Sequence, residues 1–203
     1  MRHTILRYRR ILAALGALSA GLIGWPTVAA AQAVTGHATA VRATTIGLFG
    51  STTTELAGTG TLGGSTDARE ASQTTGRVPS LLTGETLHAT TIGWPDQAAS
   101  EASLARLALT VAGTSIGADS VLARAMAALD GAGYAISNID SLTINGVPIA
   151  VTGEPNQTLS IPGGLLVINE QQTSGSLSAV NALHVILDGV ADVVIGSATA
   201  SIQ

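Results

Sequence analysis

Leu142-Thr143-Ile144-Asn145-Gly146-Val147-Pro148-Ile149 is the stretch on which the fold assignment turns. Asn-Gly supplies the two positive-φ residues that a type I′ hairpin turn requires. In that register Ile144 faces Val147 and Leu142 faces Ile149, so one face is apolar, while Thr143 pairs with Pro148 on the other. Proline cannot donate a ladder hydrogen bond, which puts its strand at a sheet edge.

Strands and turns continue on both sides of this hairpin. Leu159 and Ile161 alternate with polar residues before the turn Pro162-Gly163-Gly164. Leu165 to Ile168 is a continuous apolar run, as expected of a strand covered on both faces. Leu177 to Leu187 is apolar on both faces, and Asp188-Gly189 offers a turn before Val190 to Ile195. Upstream, Gly36 to Thr45 and Glu85 to Ile92 read as Ala/Thr/Val strands. Ser51 to Ser80 is rich in Gly, Ser and Thr and reads as long surface loops or poorly ordered chain. Short strands with frequent turns predict a mainly β protein, an antiparallel β-sandwich (or open barrel) with at most one or two short helices.

One segment divides the signals. Asp119 to Leu129 has an N-cap candidate, good helix formers, and Gly131 where a C′ glycine would sit, all of which favour a helix. The strand alternative pairs Ala102–Val111 with Ile116–Ala127 about Ala112-Gly113, against the poor strand propensity of alanine.

The chain of 203 residues has 11% charged and 2% aromatic side chains, no Lys and no Cys. Disulfides, thiol catalysis and Cys-ligated zinc are thereby excluded. Met1 to Arg10 carries four Arg and no acid, Ile11 to Trp25 is apolar, and Val28 to Ala33 is small-residue rich. These are the three parts of a signal peptide, with cleavage expected after Ala33 or alternatively Ala31. Residues 34–203 then form one exported domain at the cell surface, in the periplasm or outside the cell. That domain keeps five Arg against thirteen acids, a formal charge of −8. Such a balance argues against nucleic acid and anionic lipid as partners. No stretch after the leader approaches membrane-spanning length.

Few residues suggest chemistry, and no cofactor is expected. Gly113-Thr114-Ser115-Ile116-Gly117 matches the G-x-S-x-G nucleophile elbow, and Asp119, Asp130 or Asp140, then His184, follow in Ser–Asp–His order. The alternating βα units that would support such an elbow are missing, so a tight hairpin turn is the preferred reading and Ser115 with His184 the alternative. His37, His88 and His184 are the three histidines after the leader; with a carboxylate they would complete a zinc site, but no short ligand pair joins them. Glu154 and Asn156 offer oxygens on a loop without a calcium-loop pattern. Asn156-Gln157-Thr158 fits the glycosylation acceptor triplet. Trp94-Pro95-Asp96 is a candidate exposed turn, yet one aromatic makes no sugar-stacking platform.

Several blocks resemble the bacterial surface proteins called the choice-of-anchor P family. They are Ser141 to Ile149, Gly153-Glu154-Pro155-Asn156-Gln157-Thr158, Leu166-Val167-Ile168-Asn169-Glu170-Gln171 and Val180-Asn181-Ala182-Leu183-His184-Val185. Gly36-His37-Ala38-Thr39-Ala40 and Ala118-Asp119-Ser120 also fit. The resemblance implies an exported β-rich domain and carries no catalytic residues; it tilts Asp119 to Leu129 towards strand. The chain ends at Ala200-Ser201-Ile202-Gln203 without a sortase-type motif or apolar tail, so an anchor of that kind is not expected. A non-enzymatic secreted or envelope protein serving structure or adhesion follows, with a small serine hydrolase or a carbohydrate- or metal-binding module as alternatives. Val193 to Ile202, a terminal run that neither charge nor proline blocks, is expected to close the parent sheet, with pairing to a second copy or to another envelope protein as the alternative.

Overall fold

The computed structural model describes residues 32–203 apart from Phe49, Asp130 and Ala132. The expected leader through Ala31 lies outside the described residues, whereas Ala33 lies within them. The chain forms thirteen strands and, among the described residues, no helix.

β1 (Val34–Gly47) and β2 (Gly50–Gly58) make a hairpin, after which the chain crosses to a second sheet. There it meanders through β3 (Ala68–Val78), β4 (Leu82–Trp94), β5 (Gln97–Val111), β6 (Thr114–Ala128) and β7 (Tyr134–Asp140). The short β8 (Thr143–Ile144) and β9 (Val147–Pro148) follow. The chain then returns through β10 (Gln157–Ile161), β11 (Gly164–Ser174) and β12 (Leu177–Leu187) to β13 (Ala191–Ile202). The first sheet has the order β10-β11-β12-β13-β1-β2; the second has β3-β4-β5-β6-β8-β9, with β7 also on β6. All pairings are antiparallel, and the sheets pack face to face as a sandwich.

The Asn145-Gly146 hairpin forms in the expected register: Thr143 pairs with Pro148 and Ile144 with Val147, with φ of 51° and 76° at the turn. β9 lies at the sheet edge, as proline demands. Asp119 to Leu129 is no helix. Its residues through Ala128 belong to β6, which pairs with β5 about Ala112-Gly113, both at positive φ. Helix propensity loses here because alanine provides what two close sheets need, a small inward side chain. Ala98, Ala102, Ala123, Ala125, Ala182, Ala198 and Ala200 are all buried in the sandwich.

Two expectations need correction, and a third holds. Ser51 to Ser80 is not mainly loop, since most of β2 and all of β3 run through it and only residues 59–67 connect them. Thr is a good strand former, and an edge strand exposed on both faces needs no apolar alternation, so composition hides it. Leu165 to Ile168 is not covered on both faces: Leu166 and Ile168 are buried while Leu165 is 40% exposed. Val193 to Ile202 closes the parent sheet, as expected, and offers no free edge. β13 pairs with β12 on one side and β1 on the other, so its ladder groups are used internally.

A line of irregular backbone crosses each sheet. In the first, Ala57, Gly196 and Asn169 sit at φ of 48°, 64° and 54° on β2, β13 and β11, with Ala40 and Ala182 opposite them on β1 and β12. Inward positions change parity across that line. In β13, Val193 and Ile195 face the core before it, and Ala198 and Ala200 after it. The second sheet does the same near Thr86 and Arg106, at φ of 50° and 49°. This shift explains why Leu177 to Leu187 reads as apolar on both faces: each half buries a different parity.

Candidate functional site

The residues singled out by motif do not converge. Ser115 is exposed on the outer face of the second sheet, between inward Thr114 and Ile116, and its N–H donates to Asn145 Oδ1 at 2.8 Å. His184 lies on the outer face of the first sheet, between buried Leu183 and Val185. The sandwich therefore separates Ser115 from His184. Asp140 accepts from Ser120 Oγ, and Asp119 is exposed at the irregular line; Asp130 lies outside the described residues.

The three histidines are equally dispersed. His88 stands on the outer face of the second sheet, 3.3 Å from Glu70. His37 and His184 share the first sheet, but their ladder partners Thr199 and Val194 put them roughly 20 Å apart by strand geometry. Among the described residues no group of three His, Asp or Glu side chains is placed to hold a metal. His37 is half-buried beside the Thr39 hydroxyl, 3.3 Å from Nε2. Burial pushes its imidazole below the ordinary 6.5; Glu55 opposes that shift and Arg42 adds to it. Asp67, in the connection to β3, is held below the usual carboxylate range by the Gly63 N–H first and then by Arg69. Trp94 is 37% exposed at the β4–β5 turn.

What does converge is polar side chains from the blocks Gly153–Thr158, Leu166–Gln171 and Val180–Val185. Hydrogen bonding pairs β11 with β12, and the parity shift lets Glu170 and Asn181 on one side of the line and His184 on the other all face outward. Glu170 Oε2 accepts from Asn181 Nδ2 at 2.6 Å and lies 2.9 Å from His184 Nδ1. The other ring nitrogen of His184 is solvent-shielded and 3.3 Å from Asp192 Oδ1, though not aligned for a hydrogen bond. A chain Asp192–His184–Glu170–Asn181 thus crosses three strands.

Beside it, buried Asn169 ties the edge together. Its Nδ2 donates to the Gly153 carbonyl at 3.0 Å, and its Oδ1 accepts from Ser137 Oγ at 3.0 Å and Gln171 Nε2 at 2.8 Å. Asn156, at φ 61°, donates from its backbone N–H to the Asn169 carbonyl at 2.8 Å and accepts from Gln171 N at Oδ1. Gln157 bridges Thr152 and the Ala150 carbonyl.

Together Asn156, Glu170, Gln172, Asn181 and His184 line an open groove of about 480 Å³. Among the described residues Glu170 Oε1 and Asn181 Oδ1 accept no hydrogen bond, so acceptors remain free at its surface. Sequence reasoning took His184 and Asn156 for other roles and missed Glu170, Asn181, Asn169 and Asp192. The available signal was polar Asn-Glu and Asn residues interrupting apolar strands. No family model, curated protein or solved structure matches this chain.

Proposed function

We propose that this is a non-enzymatic exported β-sandwich serving structure and adhesion at the cell envelope, with the Glu170–Asn181–His184 groove as its recognition surface. The observation that carries the reading is the convergence of three separate sequence blocks on one hydrogen-bonded surface. Side chains fixed by one another present their remaining valences at little entropic cost on binding. Among the described residues, the one hydroxyl within hydrogen-bond distance of a histidine ring is that of Thr39, which is buried; this favours binding over nucleophilic catalysis. The charged leader with its apolar middle and small-residue end supports export.

The groove's chemistry favours polyhydroxylated ligands. Carboxylate and amide oxygens accept from sugar hydroxyls, and the amides of Gln172 and Asn156 donate to them. A panel of soluble polysaccharides tests this, comparing the intact domain with Glu170→Gln and Asn181→Ala. Binding lost in both folded variants supports the groove; binding to nothing in the panel counts against it. Cell fractionation with N-terminal sequencing tests export separately, and a cytoplasmic protein still starting at Met1 removes that claim.

A further inference from the structure

We infer that β3 is a self-association edge, joining two copies of this chain into one continuous sheet in a single register. β3 terminates the second sheet and pairs only with β4. From Ala68 to Thr75 all residues but Ala71 are exposed, so this part of the strand is open on both faces. A long edge without a covering element is a template for strand addition.

The irregular line restricts the register, and charge chooses among the face-matched ones. Before it, Ala71 and Gln73 lie opposite the buried Ala89 and Leu87 and face inward, while Glu70 faces out towards His88. Past the line, Gly76 and Val78 face inward and Arg77 faces out. Residues directly opposite in an antiparallel pair share a face. A second copy must therefore match an outward residue before the line with an outward residue after it. Glu70 opposite Arg77 of the second copy satisfies this, with Ala71 opposite Gly76, Ser72 opposite Thr75 and Gln73 opposite Thr74. A slip by one residue would put Glu70 opposite inward Gly76. The chosen register also sets opposite charges face to face twice across the two-fold axis. Arg77 is exposed and, among the described residues, forms no ion pair, whereas Arg69, Arg106 and Arg124 each have a carboxylate partner. The occupant that complements this edge is thus a second copy of the same strand, and the inference does not depend on export or on the groove.

Sedimentation velocity over a concentration series tests it on the 32–203 domain, with circular dichroism confirming that each variant is folded. The intact domain should dimerise. Glu70→Arg and Arg77→Glu, each replacing attraction by repulsion at two symmetric positions, should weaken dimerisation roughly tenfold or more. The double exchange Glu70→Arg/Arg77→Glu should restore it. Because the chain has no native Cys, Gln73→Cys should cross-link on oxidation, whereas Thr158→Cys on the β10 edge should not. A domain monomeric at every concentration, or a dimer indifferent to both charge reversals, overturns the inference.

Discussion

Ser100 on β5 donates its hydroxyl to the backbone carbonyl of Thr199 on β13 at 2.7 Å, a hydrogen bond that joins the two sheets through the core. Thr91 Oγ1 lies 2.7 Å from the same Ser100 oxygen, and Gly36 packs against both with no room for a Cβ. Removing one partner of a buried hydrogen bond leaves the other unsatisfied. Ser100→Ala should therefore destabilise the domain by about 1–3 kcal/mol in urea unfolding, because it removes the donor to the Thr199 carbonyl and leaves the Thr91 hydroxyl with only its longer contact to the Ala99 carbonyl. An unchanged midpoint would show that this link contributes nothing.

Asn169 combines burial, a left-handed backbone and hydrogen bonds to Gly153, Ser137 and Gln171. Asn169→Ala loses all of the side-chain bonds and keeps the unfavourable φ, so a loss of about 2–4 kcal/mol is expected. Asn169→Gly, which relieves the backbone but not the bonds, should fare no better than a partial recovery. Thermal and urea unfolding of both variants separate the two contributions.

The half-buried His37 makes stability depend on pH. Its folded pKa lies below the ordinary value of 6.5, so the unfolded chain binds the proton more readily. The stabilisation is present above that unfolded value and is lost as pH falls through the folded one. Asp67 acts in the same direction, but only below the ordinary carboxylate value of 3.8. Urea midpoints should thus fall between pH 7 and 5 in the native domain and fall less in His37→Gln. Equal slopes in both proteins would exclude His37 as the cause.

Ala33 and Gln203 exchange two backbone hydrogen bonds of 2.9 Å, extending the β1–β13 ladder past Val34. A domain starting at Gln32 keeps both bonds, and one starting at Val34 loses them. The shorter form should be less stable by about 1 kcal/mol, since terminal bonds contribute at the low end of the usual range. Denaturation of the two purified forms side by side measures the difference.

The fold class, the Asn145-Gly146 hairpin with its register, and the edge position of Pro148 were all legible in the chain. Each rests on local chemistry: positive φ at Asn-Gly, the missing N–H of proline, and alternation within a few residues. The absence of Cys also excluded disulfides outright. The rest depended on contacts between distant strands. Whether Asp119 to Ala128 is helix or strand depended on β5 and β7 lying beside it, a non-local pairing that alanine's own preference opposes. β3 was invisible because an edge open on both faces has no apolar period. The parity shift at Asn169 and Gly196 breaks that period within strands, and only neighbouring strands making the same shift keep the ladder in register. The Glu170–Asn181–His184 cluster exists for the same reason. Strand pairing sets its members side by side, and no spacing along the chain encodes that neighbourhood.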